Sequence, residues 1–134
     1  MSKPKEDEFW DAVGEIRESD GRFHPQAYQF VMVALSRTVD ALPESRRQDP
    51  ARRHLSGREL LHGAVELAQE EFGSCAPMVF REWGVRVSED VGTMVFQLVE
   101  IGLLSARPED TLEDFRGFDL NRALVENPDA SSAA

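Results

Sequence analysis

The stretch from His54 to Ala106 decides the fold, and it reads HLSGRELLHGAVELAQEEFGSCAPMVFREWGVRVSEDVGTMVFQLVEIGLLSA. Ser56 and Glu59 form the S-x-x-E pattern of a capping box, in which each side chain accepts a hydrogen bond from the other residue's backbone N–H. Apolar residues then recur at helical spacing until Gly73, a residue type that commonly ends helices. These features predict a first helix. Its apolar stripe comprises Leu60, Leu61, Ala64, Val65, Ala68 and Phe72.

Two further helices are predicted in the same stretch. One is short, with Pro77 in its first turn and Gly84 at its end. The other begins at Ser88, a favourable capping residue, and ends at Gly102. Each has an apolar face of helical periodicity, so a unit of three helices is expected. The two faces consist of Ala76, Val79, Phe80 and Trp83, and of Val91, Met94, Val95, Leu98 and Val99.

The residues after the third helix indicate a β-hairpin. Leu103–Ala106 is a short apolar strand candidate, 107–110 has the composition of a turn, and Leu112–Leu120 returns as a second strand. Helix, short helix, longer helix and hairpin follow the order of a winged helix. We therefore expect a mainly α fold, with a winged-helix-like three-helix core and a small C-terminal β-hairpin over residues 54–120. A plain helical bundle is the alternative.

Two helices are predicted ahead of this core, as an N-terminal helical hairpin over residues 6–42. The second of them begins near Pro25 and has two apolar stripes, one of which contains Phe30 and Val33. A helix that is apolar on two sides either lies at the centre of a fold or docks a partner. We favour the central position, between the first helix and the three-helix core.

Length and composition predict a single domain spanning residues 1–134, with 41% apolar residues to form its core. Residues 43–53 form a linker rich in Arg and Pro, and 121–134 a small polar tail. No run of about 18 apolar residues is present, so no membrane span is expected. The first residues are charged where a signal peptide needs an apolar run, and a single cysteine allows no intrachain disulfide. We therefore expect a cytoplasmic protein.

The net charge of −10 opposes binding to nucleic acid phosphates. In a winged helix the third helix enters the major groove of DNA. The outward positions of that helix include Glu89, Asp90 and Glu100, so specific recognition of duplex DNA is disfavoured. Basic residues are concentrated in the linker, which leaves RNA as an alternative partner there. The linker residues concerned are Arg46, Arg47, Arg52 and Arg53.

Catalysis and metal binding have few candidate residues. Cys75 and His62 are the candidate thiol–imidazole pair. A small enzyme that uses them is a disfavoured alternative, because the sequence shows no oxyanion-hole pattern and no third residue that would orient the histidine. A buried structural cysteine is the preferred interpretation. With His54 these residues match no zinc spacing, and no glycine motif for phosphate is present. We therefore predict no catalytic residue, no cofactor and no metal.

Five short motifs resemble a known family when they are taken in order. They are Ala27–Val31, His54–Leu61, Phe72–Gly73, Trp83–Val85 and Val95–Leu104. Over roughly Arg22 to Leu120 the chain resembles a family of short uncharacterised bacterial proteins that is typical of planctomycetes and verrucomicrobia. The resemblance implies a bacterial protein of one domain. It transfers no catalytic residue and no cofactor, because the family has no established activity.

These exclusions favour a non-enzymatic protein-interaction module whose partner is another protein or a second copy. Phe96 stands opposite the apolar stripe of the third helix, so either the N-terminal hairpin covers it or it anchors a partner, as aromatic residues do at interface hot spots. The alternative is a nucleic-acid- or ribosome-associated factor that uses the Arg-rich linker. The candidate partner-binding residues are Phe96, Phe30, Val33, Arg46, Arg47, Arg52 and Arg53.

Overall fold

The computed structural model describes residues 6–49, 55–104 and 112–126, and in these ranges the chain is helical without a strand. The mainly α prediction is confirmed, and the architecture is consistent with the plain helical bundle. The helices are α1 (Glu6–Ser19), α2 (Pro25–Asp40), α3 (Glu44–Arg47), α4 (Gly57–Phe72), α5 (Ala76–Glu82), α6 (Ser88–Glu100) and α7 (Leu120–Val125), with 3-10 turns at Gly73–Cys75 and Leu112–Phe115.

Helix α2 lies at the centre of the bundle and packs against α1, α4 and α6. The central position that its two apolar faces predicted is therefore confirmed. Tyr28 and Ala34 on α2 are completely buried. The contact with α4 is closest at Gly63, where a Cβ would lie only 1.9 Å from Oγ1 of Thr38. A residue without a side chain lets the two helices approach this closely.

The capping box at the start of α4 has the predicted geometry. The backbone N–H of Glu59 donates to Oγ of Ser56 at 3.1 Å, and the backbone N–H of Ser56 donates to Oε1 of Glu59 at 3.0 Å. The helix ends at Gly73, whose φ is 54°. Both boundaries of α4 therefore follow from signals in the local sequence.

Helices α5 and α6 end in the same way, with a glycine of positive φ followed by an apolar residue. The backbone N–H groups of Gly84 and Val85 donate to carbonyls in the last turn of α5, at 3.0 and 2.9 Å. Those of Gly102 and Leu103 do the same in α6, at 3.0 and 2.9 Å. This is the Schellman motif, in which the chain turns back and satisfies the last carbonyls of a helix.

The predicted β-hairpin is wrong within the part of the chain that the structure describes. Leu103 and Leu104 both donate their N–H groups to the carbonyl of Leu98, at 2.9 and 3.3 Å, so they cap α6 and do not form a strand. A backbone group that is used in a cap is not available to a strand ladder. Leu112–Phe115 is a 3-10 turn. Residues 105–111, which include the expected turn, lie outside the described residues.

The C-terminal segment of the described chain packs into the core. Phe115 is 5% exposed, and Leu120 and Leu124 on α7 are 2% exposed. Helix α7 contacts α4 and α5. Within the predicted tail at 121–134, residues 121–125 belong to α7, and 127–134 lie outside the described residues. Burial of three large apolar side chains explains why this segment folds onto the bundle.

Candidate functional site

Phe30 is the centre of a cluster of four aromatic rings. Its ring centroid lies 6.0 Å from that of Phe72 in α4, 5.4 Å from that of Phe80 in α5 and 5.4 Å from that of Trp83 after α5. Only 8% of Phe30 is exposed. Its predicted role as a partner-binding residue is therefore wrong, because the ring joins three helices and has no free face to offer.

Val33 lies one turn after Phe30 on α2 and is 43% exposed. Phe72 and Trp83, whose rings pack on Phe30, are only half-buried, with ring centroids 5.7 Å apart. We call Val33, Phe72 and Trp83 the aromatic patch. Its three side chains come from α2, from the end of α4 and from the end of α5, so the bundle has to fold before the patch exists. Of the two α2 residues predicted to bind a partner, Val33 alone is at the surface.

An ion pair borders the aromatic patch. Arg37, one turn after Val33 on α2, lies 2.6 Å from the carboxylate of Glu70 on α4. The two side chains are 52% and 62% exposed. An ion pair this exposed contributes at most about 1 kcal/mol to stability, because water screens it. One charge of each sign is therefore accessible to a partner at the edge of the patch.

Part of the α6 face that was predicted to point outward contacts the N-terminal part of the chain, whereas Glu89 and Glu100 are exposed. Phe96 is half-buried and packs against the core. The neighbouring Gln97 accepts a hydrogen bond from the Tyr28 hydroxyl at 2.7 Å and donates one to Asp20 at 3.1 Å. Gln97 is thus a partly buried connection between α6, α2 and the α1–α2 loop. Phe96 is therefore less exposed than an aromatic side chain that anchors a partner protein.

Tyr28 begins a chain of polar contacts that ties α2 to α6 and to the α1–α2 loop. Burial, and next the charge of Asp20, raise the pKa of Tyr28 to about 12. The phenol therefore stays protonated at neutral pH and donates to Gln97. Asp20 also accepts from the backbone N–H of Arg22 at 3.1 Å, and the Arg22 guanidinium lies 3.4 Å from Asp90. These contacts fix the position of α6 relative to the α1–α2 loop.

The basic linker is partly folded in the described range, where it forms α3. Arg46 donates to both carboxylate oxygens of Glu59, at 2.6 and 3.2 Å. This contact lowers the pKa of Glu59 to about 2 and raises that of Arg46. Arg46 is thus bonded within the fold, whereas Arg47 is exposed. Arg52 and Arg53, the other two candidates, lie outside the described residues.

Cys75 and His62 do not form a shared site. Cys75 is exposed on the 3-10 turn after α4, so its expected burial is wrong. His62 is exposed near the start of α4 and meets the ring of Phe118 edge-on, with centroids 5.2 Å apart. Ten helical residues separate His62 from Phe72, which is an axial rise of about 15 Å. In the described ranges no three His, Cys, Asp or Glu residues lie where they could hold a metal ion.

A shallow groove of about 380 Å³ runs between α4 and α7. Its charged lining is mixed, since Arg122 pairs with Glu126 at 2.9 Å and Glu66 lies on the opposite wall. Gln69 on α4 donates to the carbonyls of Ala123 and Glu126 and so holds α7 in place. The sequence did not predict this groove, because one of its walls was assigned to a hairpin and a tail.

A second depression of about 390 Å³ lies where α5 ends and α7 begins, and we call it the arginine depression. Arg81, Val85, Arg86 and Asn121 line it. The amide of Asn121 lies 3.5 Å from the carbonyl of Arg86, across the mouth of the depression. Sequence reasoning missed these residues as well. The one available signal was a pair of arginines on either side of a Trp–Gly helix end, which by itself indicates no site.

The described helices are short, and the longest, α2 and α4, have 16 residues each. None of the helices in the described ranges is long and apolar enough to cross a membrane. No protein-family model, no curated protein and no solved structure matches this chain.

Proposed function

We propose that this protein is a non-enzymatic interaction module and that its aromatic patch binds a second copy of the chain. The observation that carries the proposal is the exposure of Val33, 43%, on a helix that is otherwise central to the bundle. Two half-buried aromatic rings, Phe72 and Trp83, pack on Phe30, which lies one turn before Val33 on α2. Large aromatic side chains held rigidly by a core are the residue type that contributes most at protein interfaces.

The charges at the edge of the patch favour self-association. A symmetric dimer places the same surface of both copies face to face, so each charge must meet its opposite across the axis. Arg37 and Glu70 supply one of each sign. A rotation of the second copy by half a turn brings Arg37 of one copy towards Glu70 of the other. The patch is thus compatible with its own copy, although each chain carries a net charge of −10.

The salt dependence separates this proposal from the nucleic-acid alternative. Two chains that each carry −10 repel, and added salt screens that repulsion, so self-association through an apolar patch strengthens as salt rises. Binding of RNA through arginines weakens steeply as salt rises, because counterions are released. The nucleic-acid alternative also has fewer arginines for phosphate contacts within the described residues, because Arg46 is bonded to Glu59.

The test is sedimentation equilibrium of the full chain over about 5–500 µM, at low and at high salt. We expect the mean mass to rise towards that of a dimer, and to rise further at high salt. Val33→Asp should weaken the dimer by about tenfold or more, because it buries a charge without a partner. Val125→Asp on α7, where the valine is 69% exposed, is the matched control and should leave the dimer intact. A natural chain that stays monomeric at every concentration refutes the proposal.

A further inference from the structure

The arginine depression is lined by two cationic side chains, and its volume of about 390 Å³ can hold a small ligand. Arg81 belongs to the last turn of α5, and Arg86 follows the Schellman turn that ends this helix. Val85 between them is 3% exposed, so the backbone is anchored in the core while both arginines stay at the surface. The turn thus brings two guanidinium groups to one concave surface of about 390 Å³.

Neither guanidinium has an acidic partner in the described part of the chain. The other described arginines with ion pairs are Arg22, Arg37, Arg46, Arg116 and Arg122. Arg81 and Arg86 take part in no ion pair of this kind, and no Asp or Glu lines the depression. The chain has 25 acidic residues and 15 basic ones, so a concavity whose only charges are positive stands out against the composition.

The fourth lining residue adds neutral hydrogen-bonding capacity. Asn121, in the first turn of α7, has its amide nitrogen 3.5 Å from the Arg86 carbonyl, which is a weak contact at most. The Asn121 side chain therefore retains donors for a ligand. Its position depends on α7, which the bundle holds against α5. The depression thus forms only in the folded chain and is supported from two segments.

We propose that the arginine depression binds the phosphate group of a small ligand. A guanidinium group offers several N–H donors in one plane, and it binds carboxylate or phosphate with two parallel hydrogen bonds. A phosphate monoester carries between about one and two negative charges at neutral pH, together with three oxygen acceptors, and so matches two guanidinium groups. A carboxylate has one charge, and a single arginine satisfies it. This inference goes beyond self-association, since it assigns a ligand and not a partner chain.

The net charge of the protein does not prevent this binding. At physiological ionic strength the Debye length is about 8 Å, so distant acids on the surface are largely screened. The Asp90 carboxylate lies within this distance, since it accepts from the backbone N–H of Arg86 at 2.8 Å, and it lowers the positive potential that the two lining arginines produce. Screening also weakens the attraction, and we therefore expect affinities in the millimolar range for inorganic phosphate.

The experiment is a titration of the full chain with inorganic phosphate at constant ionic strength, followed by NMR of backbone amides and arginine Nε–H groups. We expect saturable shifts at Arg81, Arg86 and Asn121, with a dissociation constant of about 0.1–10 mM. Arg81→Gln and Arg86→Gln should each weaken binding about tenfold or more. Arg47→Gln removes the same charge from an exposed arginine elsewhere and should change affinity less than about twofold.

Methyl phosphate and acetate form the other two arms of the titration. Methyl phosphate binding as well as inorganic phosphate identifies a phosphate ester as the ligand class, and binding of inorganic phosphate alone identifies the free ion. Acetate that binds as tightly as phosphate contradicts the match to two guanidinium groups. The absence of saturation with phosphate, or an equal loss of affinity in Arg47→Gln, overturns the proposal. Both outcomes are independent of the oligomeric state, so they are distinguishable from failure of the aromatic patch.

Discussion

Gly63→Ala should destabilise the fold, although alanine is the better helix former. In the interior of α4 the change gains about 1 kcal/mol of helix propensity. The new methyl carbon, however, would lie 1.9 Å from Oγ1 and 3.1 Å from Cβ of Thr38. Overpacking of a core costs about 1–3 kcal/mol, and a contact this short belongs at the upper end. The expected net loss in the free energy of unfolding is therefore about 2 kcal/mol.

Rotation of the Thr38 side chain does not remove this clash. The Cβ of Thr38 stays 3.1 Å from the added methyl carbon in every rotamer. Moving Oγ1 also breaks its hydrogen bond to the carbonyl of Ala34, which is 2.7 Å long. Helices α2 and α4 must then separate, and their contact is the central one of the bundle. The cost therefore falls on the whole fold rather than on one side chain.

Urea unfolding followed by circular dichroism measures the effect. With a slope of about 1–3 kcal/mol per molar urea, a loss of about 2 kcal/mol lowers the midpoint by roughly 1 M. Gly14→Ala is the control, since a Cβ at this exposed position of α1 meets nothing within 4 Å, and it should hold or raise the midpoint. Adding Thr38→Ala to Gly63→Ala removes Oγ1 and keeps Cβ at 3.1 Å, so it should recover part of the loss. A Gly63→Ala chain as stable as the natural one refutes the reasoning.

Two further predictions concern bonded polar groups. Tyr28→Phe leaves the Gln97 oxygen without its 2.7 Å donor and should lower the free energy of unfolding by about 1–2 kcal/mol; an unchanged urea midpoint contradicts this. The folded pKa of Glu59, about 2 instead of 4.5, means that its contact with Arg46 stabilises the fold above pH 4.5 and that this contribution is lost as the pH falls towards 2. The side chain is 34% exposed, so the contribution is about 1 kcal/mol. The stability advantage over Glu59→Gln should therefore shrink on acidification, with Glu66→Gln as the control.

The helix boundaries that depend on neighbouring residues could be predicted from the sequence. The capping box of Ser56 and Glu59 uses groups three residues apart, so its geometry follows from the local chain alone. The glycine after α4 is equally local. Such signals place the ends of α4 correctly without any knowledge of what the helix packs against.

The mistaken strand after α6 shows how one local pattern was given two interpretations. Gly84-Val85 was interpreted as the end of a helix, whereas Gly102-Leu103 was interpreted as a helix end followed by a strand. Both pairs form the same Schellman motif, with the apolar residue folded back on its own helix. A short run of apolar residues predicts a strand, but apolar residues also follow the glycine of a Schellman motif. Composition alone therefore did not separate the two structures.

Burial of individual residues in an apolar stripe could not be predicted, because it depends on how the helices dock. Phe30 and Val33 belong to one stripe of α2, yet the first is 8% and the second 43% exposed. Rings from the end of α4 and from α5 surround Phe30, and this packing depends on helix docking rather than on the stripe itself. Cys75 illustrates the converse, since it is exposed although cysteine is among the most frequently buried residue types.

The hydrogen bond of the Tyr28 hydroxyl bears on the comparison with a DNA-binding winged helix, in addition to the lack of strands in the described residues. A buried hydroxyl needs a hydrogen-bond partner, and here that partner is Gln97, 69 residues further along the chain. Gln97 lies on the very face of α6 that a recognition helix would present to the major groove. To expose this face the chain would have to break the contacts of Gln97 with Tyr28 and Asp20. The contacts that satisfy the Tyr28 hydroxyl thus use a side chain on the α6 face that a recognition helix needs, and this agrees with the expectation that specific duplex DNA is disfavoured.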